Sequence, residues 1–210
     1  MFSKAFRIFL SGSLFLLSTL SLALAQGQIP KSLTYKNALM GIEIRGPEDW
    51  FMHEVPHTMP GEKPERLLGV LVDFTLVPFG SKSKSEDFPI ISLETESAKD
   101  VTGKILGGKT PLEYANYIVE VLKELPGMMD VKKIKIIEEP NLVKIKDQEG
   151  ARYIYEMKTA KGNSERNSKE LVYVFMKGDL FYSLEYTSKP EYFDKHTKEF
   201  EAALNTFVLK

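Results

Sequence analysis

The first residues that suggest a reaction read His-Glu-Val-Pro-His, from His53 to His57. This is the H-E-x-x-H pattern of zinc hydrolases, in which two histidines one helical turn apart bind the metal and the glutamate acts as general base. Pro56 disfavours that helix, because proline lacks an amide hydrogen and clashes with the preceding turn. We therefore predict a loop with two solvated histidines. Two alternatives stay open: a metal-dependent hydrolase using His53, Glu54 and His57, and a weak divalent-metal site made by the same side chains.

A second pattern that could do chemistry runs from Gly103 to Thr110 and matches the phosphate loop, G-x-x-x-x-G-K-[ST]. A phosphate loop needs an apolar strand before its first glycine and the Lys–Thr pair inside the first turn of a helix. Here the preceding residues are polar, and Pro111 makes Thr110 the residue that caps the helix from outside. A capped helix therefore explains these residues better than nucleotide binding does.

Three weaker candidates remain. Asp73 lies within an apolar strand and is predicted to be hydrogen-bonded at the sheet face or rim. His196 is predicted to lie on the solvated side of the last helix. Four lysines on a predicted hairpin could dock an anionic partner, although lysines that guard an exposed edge strand are the commoner explanation: Lys133, Lys135, Lys144 and Lys146. We predict no catalytic, cofactor-binding or metal-binding residue and no cofactor.

The compartment is indicated by residues 1–25, which resemble a cleavable secretory signal. Lys4 and Arg7 give a basic start, residues 8–22 are apolar with small polar interruptions, and Ala23-Leu-Ala25 supplies the small residues of a cleavage site. A membrane anchor is the rival interpretation, and the interruptions count against it. We expect a single domain over 26–210 that is periplasmic or secreted, with no integral membrane span after cleavage.

Composition excludes several classes of function. The chain has no cysteine, which rules out disulfides, thiolate metal sites, cysteine nucleophiles and a cysteine-linked lipid. Without the signal, 26 basic and 29 acidic residues leave a net charge of −3, which is no electrostatic footprint for nucleic acid. The remaining 185 residues are enough to bury a core without disulfides.

The helices and strands predicted from the sequence are those of an α+β protein. One helix is predicted to begin at Thr110-Pro111 and to end at Pro126, and a second to cover about 190–205. Pro47 to Trp50 is predicted to form a turn that places Trp50 in the core. The strand 170–177 is apolar on both faces, so it lies centrally in a largely antiparallel sheet flanked by helices. Strands are predicted over 32–36, 41–45, 66–77, 89–96, 131–137, 142–146, 152–159, 170–177 and 180–187, with loops at 56–64 and 160–169.

The order of these elements is similar to that of the PsbP-like family. The resemblance rests on Tyr35 to Asn37 and Gly41 to Trp50 at the start, on Gly178 to Tyr186, and on the final Tyr192, Phe200 and Leu204 to Phe207. It covers about residues 33–210 and implies an α/β/α sandwich. In photosynthetic organisms the family supplies an extrinsic lumenal subunit that helps the oxygen-evolving complex retain calcium and chloride. Exported bacterial relatives, including DcrB-like proteins, mostly lack an assigned activity.

The resemblance therefore implies a non-catalytic accessory or binding domain outside the cytoplasm, with a protein partner in the cell envelope. No functional residue of the photosynthetic subunit matches a position here. A carrier of an apolar ligand, held between sheet and helix, is a further alternative.

Overall fold

A computed structural model of the chain describes residues 33–54, 69–76, 89–99, 107–128, 130–161 and 164–210. The predicted signal at 1–25, the proline-rich loop at 56–64, His57 and Gly103 all lie outside the described residues. Within those ranges, no helix has the length and apolar character needed to cross a membrane.

The described elements are strands with two α-helices. In chain order they are β1 (Thr34–Asn37), β2 (Ile42–Arg45), β3 (Phe51–Glu54), β4 (Gly69–Thr75), β5 (Ile90–Ser97), α1 (Pro111–Glu124), β6 (Val131–Ile145), β7 (Gln148–Lys161), β8 (Ser164–Lys177), β9 (Leu180–Ser188), α2 (Pro190–Thr206) and β10 (Val208–Leu209).

These strands form two sheets in which every described pairing is antiparallel. The large sheet has seven strands in the order β3-β4-β5-β9-β8-β7-β6, and the small sheet has three in the order β1-β2-β10. The small sheet brings the last described residues next to the first strands, since the Lys210 amide donates to the Gly41 carbonyl oxygen at 2.8 Å. The α+β prediction with a largely antiparallel sheet is confirmed.

One hydrophobic core lies between the large sheet, α2 and the small sheet. Trp50, only 1% exposed, is buried in it, as predicted for the residue after the Pro47 turn. Tyr186 packs against Phe200 with ring centroids 5.5 Å apart and donates a hydrogen bond to the Phe193 carbonyl oxygen. We call this side of the large sheet the α2 face.

A second core covers part of the opposite side, which we call the α1 face. Here α1 packs against β6, β7 and β8, and Tyr114 stacks on Phe181 with centroids 4.0 Å apart. Strand β8 contributes Leu171, Tyr173 and Phe175 to the first core and Val172 and Val174 to the second. Its predicted central position with two apolar faces is confirmed.

The predicted hairpin within 131–146 is wrong. Strand β6 runs unbroken from Val131 to Ile145 and pairs with β7 across a turn at Lys146–Asp147. Pro140 is accommodated because β6 is an edge strand of the described sheet and its register shifts between Glu138 and Asn141. The four lysines therefore lie along one edge and its turn, and not on two paired strands.

Two other predicted boundaries also differ. The loop predicted over 160–169 is wrong, because β7 and β8 continue as a ribbon to the pair Lys161 and Ser164, with ion pairs such as Lys158–Glu165 at 2.6 Å. Its polar sequence resembles a loop because the ribbon extends beyond the core. The strand predicted over 66–77 contains β4, where a bulge between Val70 and Val72 interrupts the alternation of the strand, so that Leu71 and Val72 are both fully buried.

Candidate functional site

The H-E-x-x-H segment begins in a strand, so the predicted loop with a solvated His53 is wrong at that residue. His53 lies in β3 opposite Asp73 of β4 and is partly buried, and this burial lowers its pKa. Neighbouring residues of a strand point to opposite faces. His53 and Glu54 are therefore not presented side by side, as the zinc hydrolase reaction requires.

The phosphate-loop segment ends in a helix cap, as predicted. The Thr110 hydroxyl accepts a hydrogen bond from the Glu113 amide at 3.2 Å, and the Glu113 carboxylate accepts one from the Lys109 amide at 2.6 Å. Gly108 has a φ of +111°, and a Cβ atom there would lie 2.3 Å from the Glu113 Cβ. A glycine at this position therefore allows the Glu113 carboxylate to reach back over the cap. This close approach explains Gly108 without a bound phosphate.

The prediction for His196 is wrong. It is 7% exposed, contacts the Glu199 carboxylate and packs edge-on against Trp50 with ring centroids 6.1 Å apart. The side of α2 that carries it lies beside the Trp50 corner of the first core, a neighbour that helical spacing cannot indicate. The prediction for Asp73 is confirmed, because its carboxylate accepts a hydrogen bond from the Ser92 hydroxyl at 2.6 Å.

The sheet register brings polar side chains from several strands into one row on the α1 face. Asp73 is paired with Ser92, Ser92 with Glu185, Glu185 with Val172 and Val172 with Tyr153. Directly opposed residues in an antiparallel sheet point to the same side and stand about 5 Å apart. The row therefore leads from a carboxyl group on β4 to a buried tyrosine on β7.

Further acids border this row, and we call the whole set the acidic face. Glu94 faces Ser183 and Glu170 faces Thr187, so both lie diagonally next to Glu185, at about 7–8 Å between backbone positions. Glu96 follows Glu94 on the same side of β5. The acidic face thus consists of five carboxyl groups on four neighbouring strands, beside the area that α1 covers: Asp73, Glu94, Glu96, Glu170 and Glu185.

Three of these carboxyl groups are held by hydroxyl donors. Asp73 has Ser92, Glu96 accepts from the Tyr114 hydroxyl, and Glu170 accepts from the Tyr155 hydroxyl and, at 3.0 Å, from Ser168. Such hydrogen bonds compensate part of the cost of removing a carboxyl group from water.

The other two carboxyl groups, Glu94 and Glu185, have no hydrogen-bond donor in the part of the chain that the structure describes. Tyr153, at the β7 end of the row, is 3% exposed and belongs to the second core. The ring of Tyr153 is fixed by stacking with Tyr155 at 6.2 Å. Glu94 and Glu185 are therefore the two acids of the acidic face that no hydroxyl group of the described residues holds.

Burial and mutual repulsion make these acids hard to ionise. Burial raises the pKa of Glu185 to about 8, with Glu170 as the strongest neighbouring charge. Burial and then Glu185 raise the pKa of Glu94 well above its usual range, and burial raises the pKa of Asp73 to about 6. Among the described residues, the charged groups that act on Glu94 and Glu185 are all carboxylates. The site therefore lacks a described counter-charge.

The overall architecture has a solved counterpart. The cyanobacterial PsbP protein of Synechocystis superposes with a TM-score of 0.51 at 14% identity, covering 91% of this chain and 99% of that one. This chain has a PsbP-like fold. LpqN, described as involved in cell envelope biogenesis of Mycobacterium tuberculosis, gives a TM-score of 0.48 at 12% identity over 80% of this chain and 83% of its own. Comparison with protein-family models and with curated protein sequences finds no match.

Within the PsbP-like fold of this chain, sequence reasoning found Asp73 but missed the rest of the acidic face. A signal was present in β9, where Glu185 stands between Leu184 and Tyr186 in an otherwise apolar stretch. In β5, by contrast, Ser92, Glu94 and Glu96 alternate with the buried residues Ile91, Leu93 and Thr95, and look like an ordinary solvated side of a strand. Only the pairing of β5 with β9 brings these acids together.

Proposed function

We propose that the protein is an exported, non-catalytic accessory or binding domain of PsbP-like type, which supports a periplasmic or membrane-associated assembly. The signal-like residues 1–25 support export, and the likeness to a solved PsbP structure supports the architecture. The observation that carries the proposal is the composition of the acidic face. Its described residues bring together hydrogen-bond acceptors but no nucleophile with a general base beside it. Such a surface is better suited to bind a partner than to catalyse a reaction.

The arrangement of the serine–aspartate–histidine row among the described residues supports a non-catalytic role. In a hydrolytic triad the histidine stands between the serine, which it deprotonates, and the aspartate, which orients it. Here Asp73 stands between Ser92 and His53, and the Ser92 hydroxyl donates directly to Asp73. In this order the aspartate separates the serine from the histidine, so the histidine is not placed to accept the serine proton. The metal-dependent hydrolase built on His53, Glu54 and His57 is disfavoured by the strand at His53–Glu54.

The alternative of an apolar-ligand carrier is weaker than the binding-domain proposal. The described part of α1 packs directly on the sheet, and Phe181 and Val174 beneath it are fully buried. A groove of about 400 Å³ among the described residues lies open at the surface, and its lining mixes polar side chains such as Lys109 and Lys177 with apolar ones such as Phe175. An open groove of this kind does not enclose an apolar ligand between the sheet and α1.

The proposal is tested by the state of the protein in its own cells. A tagged copy expressed from its native locus is fractionated, and the envelope and secreted fractions are cross-linked and sized. We expect a cross-linked species larger than the single domain, and no hydrolysis of ester or peptide substrates by the purified protein. Zinc-dependent hydrolysis that is lost in His53→Ala but kept in Lys109→Ala would overturn the proposal, as would a protein that stays monomeric under every cross-linking condition.

A further inference from the structure

One end of the large sheet is strongly basic. There β6, β7 and β8 run on as three paired strands past the end of β9, and we call residues 131–136, 156–160 and 164–169 the ribbon end. Its acidic side chains are Glu156 and Glu165. Its six basic side chains are Lys132, Lys133, Lys135, Lys158, Arg166 and Lys169. Since the chain without its signal has a net charge of −3, positive charge is concentrated at this end of the fold.

The sheet register places four of these lysines on one side of the ribbon end. Lys133 lies directly opposite Lys158. Glu156 lies between Lys135 on one neighbouring strand and Lys169 on the other. All of them are on the α2 face, because they continue the alternate positions of β7 that belong to the first core. Like charges directly opposite each other in a sheet are destabilising, and a negatively charged partner relieves that repulsion.

Little negative charge of the described chain compensates these lysines. Lys158 forms an ion pair with Glu165 at 2.6 Å. On β6, by contrast, Lys132, Lys133 and Lys135 are exposed, and none of them forms an ion pair with another described residue. The ammonium groups of β6 can therefore contact a negatively charged partner without first breaking an ion pair within the described structure.

The types of side chain distinguish a membrane surface from a protein partner. Five of the six basic side chains are lysines, and the exposed residues of the ribbon end are all polar or charged, with Asp130 as the acid at its border. Protein interfaces are depleted in lysine and depend on aromatic and arginine side chains that fill pockets of the partner. Lysine is a hydrated point charge, and lysines close to an anionic membrane are attracted by the summed charge of its lipids. The ribbon end therefore fits a layer of anionic headgroups better than an acidic polypeptide.

We propose that the ribbon end is a peripheral attachment site for an anionic phospholipid membrane. The contact is electrostatic, with the lysines at the level of the lipid phosphates and the strands outside the hydrocarbon region. This inference deepens the proposed binding role by naming the surface that meets a membrane, and it rests on that role for its biological use. Its test employs purified protein and lipid, so it can fail while the cross-linking experiment succeeds, and the reverse.

The proposal is tested by flotation of the purified protein with lipid vesicles in a density gradient. The chain used begins at Gln26, because the apolar residues 8–22 would themselves enter a bilayer and the described fold begins at residue 33. We expect binding to vesicles of equal parts phosphatidylglycerol and phosphatidylcholine at about 0.1 M salt and its loss at about 0.5 M, because salt screens the attraction between exposed charges. Vesicles of phosphatidylcholine alone, which have no net charge, are expected not to bind.

Two double variants with the same change in net charge locate the contact. Lys133→Gln with Lys135→Gln is expected to weaken binding to the anionic vesicles about 25-fold, since each basic residue near such a surface contributes about fivefold. Lys144→Gln with Lys146→Gln changes exposed positions about 30 Å away at the other end of β6, which is several times the screening length. This second variant is expected to bind within about twofold of the wild type. Matching thermal melts show that both variants are folded.

Three results with vesicles would overturn the proposal: no flotation with the anionic vesicles, equal binding to phosphatidylcholine alone, or equal binding by the two double variants. Soluble polyglutamate is the probe for the rival partner. Binding of polyglutamate that is lost in Lys133→Gln with Lys135→Gln, together with no binding to vesicles, would overturn the proposal in favour of an acidic polypeptide.

Discussion

Glu185→Gln should stabilise the protein at alkaline pH and leave it unchanged in acid. Burial raises the pKa of Glu185 from an ordinary value of 4.5 to about 8. The folded state therefore binds this proton more tightly than the unfolded state does. The resulting stabilisation is fully present below pH 4.5 and is lost as the pH rises through about 8. Glutamine has nearly the same shape and never ionises, so the variant avoids that loss.

The size of the effect follows from the two pKa values. At about 1.4 kcal/mol for each tenfold change, the difference corresponds to at most about 5 kcal/mol above pH 8. Since the side chain is only partly buried, water screens part of this cost, and we expect about 2–4 kcal/mol. The groups that face Glu185 are also acids, namely Asp73, Glu94, Glu96 and Glu170, so the substitution relieves their repulsion in the same direction.

The assay is urea unfolding of the wild type and the variant at a series of pH values from about 4 to about 9. The free energies of unfolding should coincide at the acid end and separate progressively above neutral pH, with the variant more stable. Glu149→Gln, on the exposed part of β7, should follow the wild type throughout. A difference between Glu185→Gln and wild type that does not change with pH, or a variant less stable at about pH 9, would refute the reasoning that the acidic face is partly closed to water.

Three further predictions test other parts of the structure. Trp50→Ala should lower the free energy of unfolding by about 3–5 kcal/mol in chemical denaturation, because it empties the corner between Pro47 and α2, and a loss below about 1 kcal/mol would contradict its burial. Thr110→Ala should cost about 0.5–2 kcal/mol in thermal melts while Lys109→Ala is nearly silent; the opposite ranking, or ATP binding that Lys109→Ala abolishes, would revive the phosphate loop. Gly108→Ala should destabilise the start of α1 more than Gly127→Ala destabilises its end, since a Cβ meets Glu113 at the first position and nothing within 4 Å at the second; equal melting temperatures would count against the close approach.

Much of the fold follows from local pattern. The alternation in β8 indicates a strand with two buried faces, and Thr110-Pro111 marks the start of α1, because each signal lies in adjacent residues. The end of the β7–β8 ribbon and the continuous strand β6 were missed, since polar residues in a paired ribbon have the composition of a loop. Strand β3 was missed because four residues carry too little periodicity and its support comes from pairing with β4.

The candidate site was harder to predict than the fold. Asp73, Glu94 and Glu185 are separated by 21 and 91 positions in the chain, and only the strand order brings them onto one side of the sheet. The conspicuous motifs, by contrast, were local. Neither motif forms its reactive site, because His53 lies in a strand and Thr110 caps a helix, so these residues have structural roles. When a site is assembled by the register of distant strands, the sequence shows it only as single acidic residues within apolar strands.

The proposal of an accessory domain in the envelope depends first on export, and the protein's own N-terminus tests export most directly. We suggest isolating the endogenous protein from each cell fraction and determining its N-terminal residue by mass spectrometry. The account predicts a chain that begins at Gln26 or a near neighbour, recovered from the periplasmic or secreted fraction. A chain that begins at Met1 and is recovered from the cytoplasm would contradict it.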